Sequence, residues 1–500
     1  MSTLNSTYPE KNPSGPSTQR KVDWFSVVLV ILAAGGGILI ALAIHATGNI
    51  ALAIIPGLFL IVAMVSEPNI GLVGFIFVTY AQVSQVGISQ YGLPSLAQPL
   101  AGALFLLILV RVFLYREQPR GWMRAAPFIA AFVIIWLVSF AHAEDYTTAS
   151  TAFVNFVKDA LGAVIIVALI QSPRSFRVAI WSLILTALFL GTITTYQGLT
   201  HAYATNLWGF GMMTSQTAAT GTNIRLSGPY ANPNAYAQIM LVVVPLALDR
   251  LWHERASLPR LVAGLALVVS AVSVVYTYSR NGFVSMVFAI GILFVQRRPN
   301  IFPWIITLFL AIGLVQFLPT TFTQRISTLV QFVSGSDTLT DPSFRGRVSE
   351  NLSAWRMFQD HPVLGVGLGN YKVNYQNYSR AIGLDPRRDS RTPANLYLEW
   401  LSEEGLVGTA LLMLVLGIIA RNLYNAVTQF SLARLQTEAF MAMALLAGFA
   451  GYMFAAINKN SAYSNVFWLI IGIMLAGTQV AQTSFSQAGN QTGYSGDRAG

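Results

Sequence analysis

Apolar runs separated by short polar punctuation recur along nearly the whole chain, and a bilayer crossing needs about 20 consecutive, mostly apolar residues. Fourteen such runs are predicted as helices, near 24–45, 50–65, 70–85, 95–115, 124–142, 152–171, 175–195, 234–251, 259–277, 281–296, 302–318, 405–425, 437–457 and 462–481. The two ends break the pattern. Residues 1–22, rich in Ser, Pro, Lys and Asn, and residues 482–500, rich in Gly, Ser, Gln and Asn, are expected to be disordered cytoplasmic tails around a membrane domain over 23–481. The first apolar run is too long for the h-region of a cleaved signal and lacks a small-residue cleavage pattern, so it is expected to be retained.

Composition supports the same class. Only 10% of the 500 residues are charged and 54% are hydrophobic, whereas a soluble domain carries roughly 25% charged residues. The expectation is an all-α, polytopic integral membrane protein with about 14 transmembrane helices. The absence of cysteine excludes disulfides, thiolate catalysis and Cys-ligated metals. His45, His142, His201, His253 and His361 stand singly, never at ligand spacing, so neither metal nor cofactor is expected. The net charge of +10 would suggest nucleic acid in a soluble protein. In a membrane protein it reports basic cytoplasmic loops, and nucleic acid is discarded as a partner.

Orientation follows from where the basic residues fall. Lys21, then Arg111, Arg116, Arg120 and Arg124, then Arg174 and Arg177, then Arg250, Arg255 and Arg260, then Arg297 and Arg298, then Arg421 and Arg434 mark every second loop. With both termini cytoplasmic, that alternation obeys the positive-inside rule and turns the other loops outward. Two outward segments are long, 196–233 and 319–404, and the length of the second points to function. Within it, Val348, Leu352 and Trp355 have the spacing of an amphipathic helix over 345–360, with Arg345 and Arg356 on one face. Thr392-Pro393 is expected to open a helix over 393–404, with Thr392 as cap and Pro393 in the first turn.

Charges at membrane level are costly unless they line a cavity or have a partner. Arg280 lies in Tyr276-Thr-Tyr-Ser-Arg-Asn-Gly282 with almost no loop to lift it into water; it either snorkels to the headgroups or forms part of an anion site. Arg225 precedes Gly228, Pro229, Asn232, Pro233 and Asn234, where an irregular backbone meets a coming helix N-terminus suited to phosphate. Asn232 and Asn234 read equally as helix caps or ligands. Arg347 and Arg356 read as anion ligands or as a solvated face. Gly365, Gly367 and Gly369 lack a preceding strand and a following Lys-Ser/Thr, so they are read as a tight turn between helices rather than a nucleotide loop.

In order, Arg225 to Asn234, Ser279 to Gly282, Arg345 to Arg356, His361 to Tyr371 and Asn395 to Gly408 resemble the motifs of the O-antigen ligase family, which includes repeat-unit polymerases and protein O-oligosaccharyltransferases. The resemblance covers about 225–410. It implies a metal-independent glycosyltransferase of the bacterial inner membrane. The active side would be the extracytoplasmic face, the donor a glycan on undecaprenyl pyrophosphate and the acceptor a glycan or lipid hydroxyl. Matched residue by residue, Arg225 and Arg280 would hold pyrophosphate, with Arg347 and Arg356 beside them and Asn395 in the last motif. A histidine commonly precedes that Asn in the family, and here Ala394 stands in its place. The remaining base candidates are Glu399, Glu403 and His361, with helix-end hydrogen bonding the competing role for Glu403.

Two other classes stay open. A transporter suits fourteen spans, although Asp159 beside Lys158 is the main intramembrane acid. A noncatalytic subunit that binds lipid-linked glycan is kept open by Ala394. The topology is testable: a reporter active only outside the cytoplasm should work when fused after Gly335 or Gly383 and fail after Arg298 or Arg434. A cytoplasmic 319–404 segment would remove the glycosyltransfer reading.

Overall fold

The computed structural model describes residues 67–114, 116, 122–203, 205–218, 221–297, 342–384, 389–461 and 464–496. The predicted tail 1–22, the runs 24–45, 50–65 and 302–318, and part of the long loop lie outside the described residues. Each of the other eleven runs coincides with helix. In chain order these are the pair α1 (Pro68–Tyr80) and α2 (Val83–Tyr91), then α3 (Ala97–Phe113), α4 (Trp122–Ala141), α5 (Tyr146–Leu169) and α6 (Pro173–Thr200). After a hairpin come α7 (Pro233–His253), α8 (Ser257–Tyr276) and α9 (Arg280–Arg297). Two helices of the long loop, α10 (Pro342–Asp360) and α11 (Tyr371–Ile382), lead to α12 (Leu396–Leu432), α13 (Gln436–Ala455) and α14 (Asn465–Gly496).

Among the described residues, 7 helices are long and apolar enough to cross a membrane, or up to 8 if the bent α1 and α2 form one span, and three shorter helices are also apolar. The protein is therefore polytopic and helical, and the described residues do not reach fourteen such helices. Two expectations need correction. The segment 196–233 contains an antiparallel hairpin, β1 (Met212–Ala218) with β2 (Gly221–Gly228), in which Thr214 faces Arg225. Its Thr-Ser-Gln-Thr run is too polar to show a strand's alternation. Helix α14 also continues to Gly496, through residues whose polar composition predicts a disordered tail.

Two helices form the centre. On α7 every residue from Tyr236 to Arg250 is buried, because α6, α8, α9 and α13 pack around it. On α14 the run Val466 to Ile471 is buried against α5, α6 and α12. An aromatic cluster holds α4, α5 and α14 together, with Trp136 and Phe156 centroids 3.9 Å apart and Phe132 4.8 Å from Trp468.

The ends of the bundle differ chemically. At one end, loops and helix termini interlock mostly through neutral bonds, Tyr230 donating to Tyr80 O at 2.9 Å and Asp145 N to Asn370 Oδ1 at 2.7 Å, with an ion pair between Arg391 and Glu350 at 3.0 Å. At the other end charges pair. Arg250 reaches Asp249 at 2.6 Å and Glu254 at 3.6 Å, and Arg177 reaches Glu438 at 3.1 Å. Arg177 and Arg250, from two of the basic clusters, both lie near Glu254. Between α1 and α2 the chain bends by 54° at Gln82, whose φ is 54°. The Gln82 amide repairs the break, donating to Thr79 O at 3.0 Å and to Asn465 Oδ1 at 2.9 Å.

Trp468 is 1% exposed and touches aromatic rings of α4 and α5. Trp468→Ala is expected to cost about 3–5 kcal/mol, seen as a lower unfolding midpoint in mixed micelles. An unchanged midpoint would mean that the cluster does not hold the three helices.

Candidate functional site

Four predicted residues meet where the hairpin crosses two helix N-termini. Asn232 caps α7, its Oδ1 accepting from Asn234 N at 2.8 Å, and Pro233 follows in the first turn. Asn234 turns its own Oδ1 to Arg225, which donates through a terminal nitrogen at 2.8 Å and through Nε to Thr277 O at 2.7 Å. Arg225 is 4% exposed. Thr277 belongs to the turn that opens α9, where Ser279 caps by accepting from Gly282 N at 3.1 Å and Arg280 is the first helical residue. The equal readings of the two asparagines thus separate: Asn232 is a cap and Asn234 orients Arg225.

Gly282 explains how the two N-termini come so close. A Cβ there would lie 2.6 Å from that of Ala237 on α7, so any side chain would push α9 away. Asn281 continues the connection, donating to Ala455 O at 2.6 Å and accepting from Asn458 at 3.4 Å. Two helix N-termini, whose dipoles are positive at that end, thus lie beside the Arg225 guanidinium.

Beyond Asn458 lies Lys459, which the sequence reading did not single out. Its ammonium donates to Asn460 O at 2.5 Å and also to the Asn460 side chain. Burial pushes its pKa below the ordinary lysine value, opposed by the charge of Glu399. A signal for it exists in the sequence: Lys459 stands on a short connection between two apolar runs, on the side where the charge alternation leaves basic residues out. Glu399 is 1% exposed, and its Oε2 has no hydrogen-bond partner among the described residues.

The three base candidates separate. Glu403 also lies on α12 but accepts from Tyr371 N at 3.3 Å, so one of its oxygens caps α11. His361 is exposed on the rim of a cavity of about 610 Å³ lined also by His142 and Glu144. Asn395, not Thr392, caps α12, accepting from Tyr397 N at 2.8 Å and Leu398 N at 3.2 Å, which moves the helix start from the expected 393 to Leu396. Arg347 and Arg356 lie half-buried on α10. The buried face of that helix is Ser349, Ser353, Ala354 and Met357, not the predicted stripe, and Trp355 is 43% exposed. Small side chains let α10 sit close to α11 and α12, whereas Val348, Leu352 and Trp355 give the stronger pattern in sequence.

The glycine-rich segment is a turn between helices, and it fills a break. At Gly405, φ 62° and ψ −169° interrupt α12. Val366 N donates to Ser402 O at 2.8 Å, Gly367 N to Glu403 O at 2.9 Å and Leu406 N to Pro362 O at 2.9 Å. These bonds satisfy the backbone groups that the break releases. A Cβ on Gly405 would strike the Val363 carbonyl, and one on Gly365 the Glu403 backbone. On α5, Asp145 closes the same end: the Thr148 hydroxyl, then the Thr147 amide, hold its carboxyl below the usual range.

Among the described residues no group of three or more His, Asp or Glu is placed to hold a metal ion. In comparison with known families, the model of the O-antigen ligase family matches residues 265–413. That range includes Arg280, Arg347, Arg356, His361, Asn395, Glu399 and Glu403, and leaves Arg225, Asn232, Asn234 and Lys459 outside. No curated protein matches the chain.

Gly405→Ala is expected to lift the 361–371 turn from α12, because the new methyl group has no room. Limited proteolysis should then cut that turn at least tenfold faster than in the wild type, a loss of about 1.4 kcal/mol in local stability. Wild-type resistance would show that the mutual fit is dispensable.

Proposed function

The chain carries an O-antigen ligase family region over residues 265–413, and on that premise we propose that it transfers or polymerises an undecaprenyl-pyrophosphate-linked glycan on the extracytoplasmic face of the bacterial inner membrane, without a metal. The observation that carries this reading is the fixed position of Arg225, bonded at 2.7 Å to the turn that presents Arg280 and at 2.8 Å to the first turn of α7. Departure of a lipid pyrophosphate develops negative charge, and positive groups held in place before reaction stabilise it without reorganising.

In this mechanism an acceptor hydroxyl attacks C1 of the donor sugar. The bond from C1 to the pyrophosphate oxygen breaks, and its electron pair leaves with the lipid pyrophosphate towards Arg225 and Arg280. The hydroxyl proton passes to Glu399, which stands in for the histidine that Ala394 replaces. Lys459 places positive charge near Glu399. Glu403 positions α11, Asn395 positions Glu399 by capping its helix, and Arg347 and Arg356 of α10 face the growing glycan. Ala394 also supports a second reading, a noncatalytic subunit that binds the lipid-linked glycan.

The test mixes purified protein, lipid-linked glycan and acceptor in EDTA and follows product and released lipid pyrophosphate. Turnover by the wild type would eliminate the noncatalytic reading, and strict dependence on added divalent metal would overturn the arginine mechanism. Arg225→Lys and Arg280→Lys should each lose most activity, since an ammonium cannot present the planar fork of donors that binds two phosphate oxygens. Glu399→Gln should lower the rate by about 10²- to 10⁴-fold, the usual effect of losing a general base. Full activity in Arg280→Ala would leave only its snorkelling role.

A further inference from the structure

Three tyrosines gather at the turn that carries Arg280, and the mechanism above uses none of them. Tyr276 ends α8, Tyr278 lies in the turn itself, and Tyr203 comes from the loop after α6. Tyr276 is buried in a small apolar cluster with Leu226 of β2 and Val272, and Tyr203 packs on its outside. The phenols of all three are near enough to interact electrostatically. Tyr203 and Tyr278 are half-buried, so each keeps part of its surface accessible.

The backbone is bent to place them. Tyr278 has φ 50° and His201, two residues before Tyr203, has φ 54°. Bulky residues rarely adopt this left-handed conformation, and such strain persists only where the surroundings impose it, often at ligand sites. Thr277 accepts from Arg225 immediately before the strained tyrosine, and Arg280 follows two residues after it. His201 Nδ1 lies 3.0 Å from the Tyr203 hydroxyl, which fixes that ring against the loop. At Gly198 a Cβ would collide with the Tyr276 ring, so α6 has given up a side chain to admit it.

We propose that Tyr203 and Tyr278, standing on buried Tyr276, form a subsite for the neutral pyranose ring attached directly to the donor's pyrophosphate. A pyranose offers an apolar face of C–H groups and a rim of hydroxyls. An aromatic ring with a phenol at its edge matches both, the face by stacking and the hydroxyl by hydrogen bonding. Placing that ring beside the arginines sets C1 next to its leaving group, so the subsite orients the donor bond that breaks. The inference rests on the reading that Arg225 and Arg280 hold pyrophosphate.

The experiment measures binding by the full-length protein in nanodiscs of two lipids, undecaprenyl pyrophosphate and the same lipid bearing one N-acetylhexosamine. The wild type is expected to bind the sugar-bearing lipid about tenfold more tightly, the scale of a good aromatic contact. Tyr203→Ala and Tyr278→Ala should each remove most of that ratio while leaving affinity for the bare lipid pyrophosphate within about twofold, which also shows that the variants are folded. Tyr203→Phe, which keeps the stacking face, should retain most of the ratio. Equal wild-type affinity for the two lipids, or an unchanged ratio in both alanine variants, would overturn the subsite. Arg225→Lys and Arg280→Ala read the other premise: bare-lipid binding that survives both would overturn the arginine site, and the sugar ratio would still report on the tyrosines.

Discussion

Backbone amides and carbonyls inside a membrane protein have no water to turn to, and every departure from helix has to be answered by another part of the chain. That requirement organises the loop end of this molecule. The break at Gly405 is answered by 362–367, the bend at Gln82 by its own side chain and Asn465, and the turn at Thr277 by Arg225. Each repair brings together segments far apart in sequence. The candidate site draws Arg225, Asn234 and Arg280 from one of these irregular stretches, around the turn at Thr277.

Both ends of the bundle pair charges, Arg391 meeting Glu350 at 3.0 Å at the loop end, but they hold their most buried arginines differently. Where α6, α7 and α13 meet, Arg250 is 1% exposed and shares Asp249 and Glu254, and Arg177 meets Glu438. Pairs of this kind leave little net field, and breaking one strands a buried charge. At the loop end, Arg225 is instead steered by a carbonyl and an amide oxygen. These acceptors fix the direction of the guanidinium between the hairpin and two helix N-termini. Lys459, half-buried on the connection after α13, has the Glu399 carboxylate of α12 near it.

Much of this was legible in the sequence, because long apolar runs and their basic punctuation follow directly from the thickness of a bilayer. The arginines stood out because their cost at membrane level demands an explanation, and Ser279 and Gly282 flanked one of them in a readable motif. Other parts were hidden for physical reasons. The hairpin at 212–228 pairs polar residues, so no alternation reveals it. On α10 the contact face is made of Ser349, Ser353 and Ala354, whose small size matters more than hydrophobicity in close helix packing. Asn395 displaced Thr392 as cap because it is the residue whose side chain reaches two free amides. Lys459 was overlooked because its significance lies in its proximity to Glu399, sixty positions earlier in the chain.

The bond from Gln82 to Asn465 spans 383 residues. At the pace of a bacterial ribosome, roughly 5–20 residues per second, the bent first helices wait on the order of 20–80 s before the partner that completes them is made. During that interval the amide of Gln82 has the local Thr79 carbonyl and, once residue 230 is made, the Tyr230 hydroxyl at 3.4 Å. The bend at Gln82 thus gains its last partner only when α14 arrives. A ribosome that stalls before Asn465 leaves the bend without the bond that ties it to α14, so these two distant parts of the chain are joined only once the last helix is made.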